Sequence, residues 1–266
     1  MRIGGRTRVF ALLGDPVGHS LSPAMQNAAF RVLGFDAVYV ALRCREASVS
    51  ALMRTLVEAG GGGNVTIPHK AAAAAAADRT VGPLPGTCNV FWDEGGTVVA
   101  GNTDVRGISL ALDRLGAPPT TWLVLGTGGS ARAVFAAARE RGSRVAVRSR
   151  AAERGERVVR ELEAAGMRRA QEEECEVVIN TTPLGLKGDD PLPITPFETP
   201  KARAVLDLVY ARGATPLVRA FAERGVAAAD GREVLVAQGA AALEIWFPGT
   251  QAPREVMRAA VRDELA

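Results

Sequence analysis

Trp122-Leu-Val-Leu125 is an apolar, strand-length run that breaks into Gly126-Thr-Gly-Gly-Ser-Ala131 and resumes with helical spacing. No other stretch constrains the fold as strongly. It matches G-x-G-x-x-[GA] in the context that motif needs: strand before, helix after, and a second strand, Ser143 to Val147, within about 20 residues. Gly126 permits the tight turn, Gly128 lets backbone approach a pyrophosphate, and Ala131 lets the helix pack closely on the sheet. Thr127, Gly129 and Ser130 complete a predicted cradle where unpaired N–H groups at the positive end of a helix dipole meet phosphate oxygens. A glycine turn with no ligand is the plainer alternative, and the strand–turn–helix context weighs against it.

The cofactor type turns on the end of the next strand. Sites for NAD place an acid there to bond the ribose 2′-hydroxyl. Here the place holds Arg148-Ser149-Arg150, and the nearest acid is Glu153. A guanidinium pairs bidentately with a 2′-phosphate that a carboxylate would repel, so NADP is predicted.

The pattern on either side reads as alternating strands and helices. Arg8 to Leu13 reads as a buried strand. Ser22 is expected as the cap of a helix with Pro23 at its first position and Gly34 as its stop. A strand (Ala37 to Leu42) and a helix (Ser48 to Ala59) follow, the helix closed by Gly60 to Gly63. Asn64 to Ile67 is expected as a strand, Ala71 to Ala77 as a helix because alanine is the best helix former. Asn89 to Trp92 and Thr97 to Ala100 read as a hairpin, and Asp104 as the cap of the next helix. After Gly116-Ala-Pro-Pro-Thr120 the alternation restarts and runs for about 110 residues, the pattern of a doubly wound sheet. Helices are expected from Glu233 to Ile245 and from Arg254 to Leu265.

Composition narrows the functional classes. The 266 residues suit two modest domains. A net charge of +3 with interspersed signs argues for neither nucleic acid nor a membrane surface. The three cysteines, Cys44, Cys88 and Cys175, are widely spaced, which favours a reducing, cytoplasmic setting. His19 and His69 are the only histidines, so no metal site is expected.

Three further places carry chemistry. Asp15 to Pro23 packs Ser20, Ser22 and a helix start into one turn, a combination suited to holding a carboxylate. Lys70 lies in the first turn of a predicted helix, the wrong end of the dipole for a cation, which suits it to proton transfer. Asp104 follows Gly101-Asn-Thr103. Each has a plainer explanation alone: a cap, an exposed lysine, another cap.

Together, Gly14-Asp-Pro-Val-Gly-His-Ser-Leu-Ser-Pro23, Gly63-Asn-Val-Thr-Ile-Pro-His-Lys70, Gly101-Asn-Thr-Asp104, Gly126-Thr-Gly-Gly129, Asn180-Thr-Thr-Pro-Leu-Gly185, Asp207-Leu-Val-Tyr210 with Thr215-Pro-Leu217, and Val236-Ala-Gln-Gly239 stand in an order that resembles the shikimate dehydrogenase family. The resemblance runs from about residue 8 to 247. It implies an α/β protein: a three-layer substrate domain (1–103 and 237–266) and a Rossmann-like doubly wound NADP-binding domain (104–236), with the C-terminal helices returning to the first. It implies NADP-dependent reduction of 3-dehydroshikimate to shikimate on the way to aromatic amino acids, by a cytoplasmic monomer or homodimer. Ser20 and Ser22 would hold the substrate carboxylate with Tyr210 nearby, and Thr66, Asn89 and Gln238 its ring hydroxyls. Lys70 and Asp104 would form the catalytic pair, and Thr181 would join the cofactor site.

The chain departs from the family's usual pattern at Thr87-Cys88-Asn89-Val90, at Gln26 where histidine is common, and at Arg148-Ser149-Arg150, which replaces Asn-Arg-Thr. These leave open quinate or an aminoshikimate analogue as substrate and NAD in place of NADP; a non-catalytic nucleotide sensor that kept the fold is a separate alternative.

Overall fold

The structure, a computed structural model, describes residues 3–84, 86–187 and 189–265. Its elements in chain order are β1 (Arg8–Gly14), α1 (Ser22–Val32), β2 (Ala37–Arg43), α2 (Val49–Glu58), β3 (Gly62–Val65), α3 (Lys70–Ala76), β4 (Arg79–Thr80), β5 (Val90–Glu94), β6 (Thr97–Gly101), α4 (Asp104–Arg114), β7 (Thr121–Leu125), α5 (Gly129–Glu140), β8 (Arg144–Arg148), α6 (Ala152–Ala164), β9 (Val177–Asn180), β10 (Ala204–Asp207), α7 (Pro216–Ala222), β11 (Ala227–Ala229), α8 (Gly231–Trp246) and α9 (Arg254–Glu264). The chain divides into two compact units. The first runs to Asp104 and takes up Leu235–Glu264; the second is Val105–Val234.

The first unit holds a six-stranded mixed sheet in the order β2-β1-β3-β5-β6-β4. Strand β1 lies parallel to both β2 and β3, and the β5–β6 hairpin is antiparallel. Its core gathers Ala11, Leu13, Met53, Leu56, Val65 and Phe91. The apolar stripe of α2 falls on Val49, Met53, Leu56 and Val57, all buried, so this helix is held by one face as its spacing predicts.

The second unit is a five-stranded parallel sheet in the order β11-β10-β9-β7-β8. Leu123, Leu125, Ala146, Val178, Val205 and Phe221 pack in its core. After β7 the chain goes to β8 on one side and later to β9 on the other, so strand order reverses at β7. Ligands of open parallel sheets sit at the carboxyl ends of strands at such a switch point.

Four local expectations are corrected. The glycines after α2 do not all end the helix: Gly62 and Gly63 already belong to β3, which therefore begins earlier and ends at Val65. A Cβ on Gly63 would stand 2.2 Å from the Ala11 carbonyl oxygen, so close strand approach requires glycine there. Ser22 is not the cap of α1; Leu21 holds that position, and Ser20 Oγ accepts the Ser22 backbone N–H at 3.2 Å. Asp104 does not cap α4 either. It is the first residue of the helix, Asn102 Oδ1 accepts its backbone N–H at 2.9 Å, and its carboxylate oxygens have other partners. The short strands β4 and β11 carry too little periodicity to be read from sequence.

Candidate active site and nucleotide turn

In the first unit, the loop leaving β3 delivers Thr66 and then Lys70 at the start of α3. Lys70 Nζ lies 2.5 Å from Asp104 Oδ2, and both side chains are largely buried. The other carboxylate oxygen, Oδ1, accepts from Asn89 Nδ2 at 2.7 Å. Asn89, only 3% exposed, is held in turn: its Oδ1 accepts the Thr103 backbone N–H at 2.7 Å, and its own carbonyl accepts from Asn64 Nδ2 at 2.9 Å. Asn64 Oδ1 accepts the buried Tyr39 hydroxyl at 2.8 Å. Gln238 Oε1, from α8, stands 3.4 Å from Asn89 Nδ2 and 3.5 Å from Thr103 Oγ. An ammonium, a carboxylate and two amides thus converge, each fixed by a neighbour. Such a set can move a proton to a substrate oxygen while holding adjacent hydroxyls.

Thr66 packs its methyl against β1: a Cβ added to Gly14 would lie 2.4 Å from Thr66 Cγ2. Its N–H bonds the Leu13 carbonyl at 2.8 Å. The Thr66 backbone is therefore locked, and its side-chain hydroxyl makes no hydrogen bond among the described residues. Asn64, Asn102 and Thr103 were not singled out from sequence. Asn102 carries a readable signal, an Asn two positions before the helix residue whose N–H it takes. Asn64 carries none, because its partners Tyr39 and Asn89 each lie 25 residues away.

In the second unit, the turn after β7 is shaped by backbone. Gly126 has φ +108°, and a Cβ there would stand 2.5 Å from Thr181 Oγ. Thr181 Oγ donates to the Leu125 carbonyl at 2.7 Å, which holds the second loop against the turn. Gly128 occupies the cap position of α5 with no side-chain partner. Among the described residues nothing stands within 4 Å of where side chains on Gly128 and Gly129 would begin. The start of α5 therefore has room for a ligand beside the switch point, an arrangement that fits a pyrophosphate. Thr127 and Ser130 border this opening, and Ala131 is fully buried beneath it.

The end of β8 differs from expectation. Arg148 is bound to two glutamates: its Nη2 lies 2.6 Å from Glu172 Oε2 and its Nη1 2.7 Å from Glu198 Oε1. A guanidinium that carries two carboxylates is already committed, and the cluster has a net negative charge. Arg150 is exposed and makes no ion pair among the described residues. Behind the turn, Asp207 is fully buried and accepts from Thr215 Oγ (2.7 Å), Asn180 Nδ2 (2.8 Å) and the Val209 N–H (3.1 Å). Burial raises its carboxyl above the usual range. Tyr210 is half-buried, its hydroxyl also pushed up by burial.

Comparison with known proteins places this geometry. The shikimate dehydrogenase substrate-binding domain matches residues 12–85, and the shikimate 5′-dehydrogenase C-terminal domain matches residues 231–262. The NADP(+) shikimate dehydrogenase of Synechococcus sp. (strain JA-3-3Ab) is 39% identical over 292 residues, covering 100% of this chain and 97% of the relative. The chain belongs to the shikimate dehydrogenase family. Its counterpart from Geobacter metallireducens is 37% identical, with 97% of each chain covered. A solved shikimate 5-dehydrogenase from Thermus thermophilus, in complex with NADP(H) and shikimate, superposes with a TM-score of 0.87 at 33% identity, covering 96% of this chain and 98% of that one.

Within this family member, Lys70, Asp104, Asn89 and Gln238 are joined by the contacts above. Ser20 and Thr66 lie in the same unit, on the loops after β1 and β3, with Ser22 the first residue of α1. Tyr210 and the turn Gly126 to Ser130, with Arg148, Ser149, Arg150 and Thr181, belong to the second unit. Among the described residues no helix is long and apolar enough to cross a membrane.

Proposed function

We propose that this chain is an oxidoreductase that reversibly reduces 3-dehydroshikimate to shikimate with NADPH, a step toward aromatic amino acids. The observation that carries the reading is the Lys70–Asp104 pair at 2.5 Å, with Asn89 bonded to the carboxylate's second oxygen. A non-catalytic sensor has no use for that pair.

In this reading Lys70 Nζ donates a proton to the carbonyl oxygen being reduced and recovers it in the reverse direction. Asp104 aims the ammonium and holds a substrate hydroxyl. Asn89, Thr66 and Gln238 take the remaining ring hydroxyls. Ser20 and Ser22 take the carboxylate, and the assignment of Tyr210 to the same group rests on the family resemblance. Bound NADPH supplies the hydride. The turn Gly126-Thr-Gly-Gly-Ser130, backed by Thr181, suits its pyrophosphate, and Ser149 with Arg150 suits its 2′-phosphate. The first unit is then the substrate domain and the second the nucleotide domain. Free Cys44, Cys88 and Cys175 support a cytoplasmic setting. A monomer or homodimer and independence of nucleic acid complete the reading.

A second reading, tolerance of NAD, is favoured by one observation: Arg148 is occupied by Glu172 and Glu198. Steady-state rates with shikimate and quinate, each with NADP+ and NAD+, decide. The expected result is the highest kcat/KM for shikimate with NADP+. A quinate value above that for shikimate overturns the substrate, equal values for the two cofactors establish the second reading, and no turnover of either acid overturns the enzyme.

A further inference from the structure

Gln26, on α1, is fully buried. Its Nε2 donates to the Gly239 carbonyl of α8 at 2.9 Å, across 213 residues of sequence. Among the described residues its Oε1 is buried without a hydrogen-bond partner. Turning the amide over would set carbonyl against carbonyl, so the acceptor fixes this orientation. An orphaned buried acceptor costs stability. An apolar side chain of the same length would remove that cost and still fill the space. Stability is therefore a poor account of why glutamine stands here.

The neighbouring contacts give a better one. A Cβ on Gly239 would stand 2.3 Å from Met25 Cε and 3.2 Å from Gln26 Nε2, so α1 and α8 touch at this point. Gln238 is the next residue back along α8. Its Nε2 is used on its own helix, donating to the Leu235 carbonyl at 2.9 Å. Its Oε1 faces Asn89 and Thr103 at 3.4 and 3.5 Å, well beyond the 2.7 Å bond from Asn89 to Asp104. Those two contacts are loose, and their length depends on where α8 sits. We propose that Gln26 is a positioning residue, whose bond to the Gly239 carbonyl sets the height of α8 and so presents the Gln238 amide beside Asn89. The proposal rests on the reading of Gln238 as a substrate contact.

The test is a mutant cycle of Gln26→Met and Gln238→Ala, with Gln26→His as a variant that keeps a donor for Gly239. Steady-state shikimate kinetics, NADP+ affinity by calorimetry and Tm are measured for each. Gln26→Met is expected to raise KM for shikimate about five- to tenfold while kcat stays within about twofold, NADP+ affinity is unchanged, and Tm is equal or higher. Gln26→His is expected to restore KM. The double variant is expected to match Gln238→Ala alone, because coupled residues are not additive. A fall in Tm for Gln26→Met with KM unmoved shows a structural brace and overturns the proposal. So does a full additive effect in the double variant. An unmoved KM in Gln238→Ala removes the substrate role of Gln238, and the proposal falls with that reading rather than by itself.

Discussion

In the first unit Lys70, Asp104, Asn89, Thr103 and Gln238 hold one another, and each polar tip has a neighbour within 3.5 Å. In the second the turn beyond Gly126 is open: among the described residues Gly128 caps α5 with no side-chain partner, and Gly128 and Gly129 border open space. The difference follows from what each must do. A group that moves a proton works only when its direction is set beforehand, so side chains are tied down before substrate arrives. A pyrophosphate is long and multiply charged. Backbone N–H groups at a helix start already point the right way, and the requirement is that nothing stands in front of them. One region is therefore sensitive to removing atoms and the other to adding them.

Removal in the first unit gives the largest expected effect. Lys70→Ala is predicted to lower kcat by roughly 100- to 10,000-fold with a modest change in KM, the range for a lost general acid. Steady-state shikimate oxidation reads it directly. A loss confined to KM would make Lys70 a binding group only. Addition in the second unit comes next. Gly128→Val puts three carbons into empty space and is predicted to weaken NADP+ by about 100-fold at an unchanged Tm. Calorimetric titration and a melting curve are sufficient, and full NADP+ affinity in this variant would mean that the cofactor does not use the turn.

The same contrast accounts for what was legible in the sequence. The nucleotide turn works by backbone, and backbone requirements appear directly as glycines in strand–turn–helix order. Most strands of both sheets were readable from apolar runs, with β4 and β11 the exceptions. The proton-transfer group works by side chains from distant segments, and Lys70 and Asp104 could be paired only through family resemblance. What escaped was the support beneath them. Tyr39, Asn64 and Thr103 sit in ordinary strand and loop contexts, and only the folded chain brings Asn64 and Thr103 to Asn89 and Tyr39 to Asn64. Ser22 and Asp104 were read as caps because a polar residue before a helix is usually one. In both cases the side chain two residues earlier, Ser20 or Asn102, accepts the backbone N–H of the residue expected as the cap. Arg148 was legible as a cation but not as a committed one, since Glu172 and Glu198 lie 24 and 50 residues away.

That commitment yields a smaller, sharper test inside the second unit. Arg150→Ala is predicted to weaken NADP+ by roughly ten- to a hundredfold, the equivalent of about 1.5–3 kcal/mol for charged hydrogen bonds, while NAD+ changes little. Arg148→Ala is predicted to leave the NADP+ to NAD+ ratio within about threefold and to cost about 1 kcal/mol of stability through its two partly exposed ion pairs. Dissociation constants for both nucleotides separate the two arginines. Were Arg148→Ala to carry the larger loss in the ratio, its pairing with the glutamates would be a resting arrangement that the cofactor displaces.

The smallest effect contrasts two carboxylates of the second unit. Asp207 is buried with three hydrogen-bond donors and, among the described residues, no cation in an ion pair with it, and burial raises it above the usual carboxylate range. Between its unfolded and folded values the native chain holds a proton that the unfolded chain has lost, so its contribution to stability falls as pH rises through that window. Glu198 runs the other way. The Thr195 N–H and hydroxyl, together with Arg148, hold it below its usual value. Its contribution is present above the unfolded value and is lost as pH falls through the folded one. Urea unfolding from pH 3 to 7 of the parent, Asp207→Asn and Glu198→Gln gives two difference curves, parent minus variant. They are predicted to slope in opposite directions, downward with pH for Asp207 and upward for Glu198. Slopes of the same sign would mean that a cation reaches Asp207 in solution, and the polar network behind the nucleotide turn would then be an ion pair rather than a set of neutral donors around a strained charge.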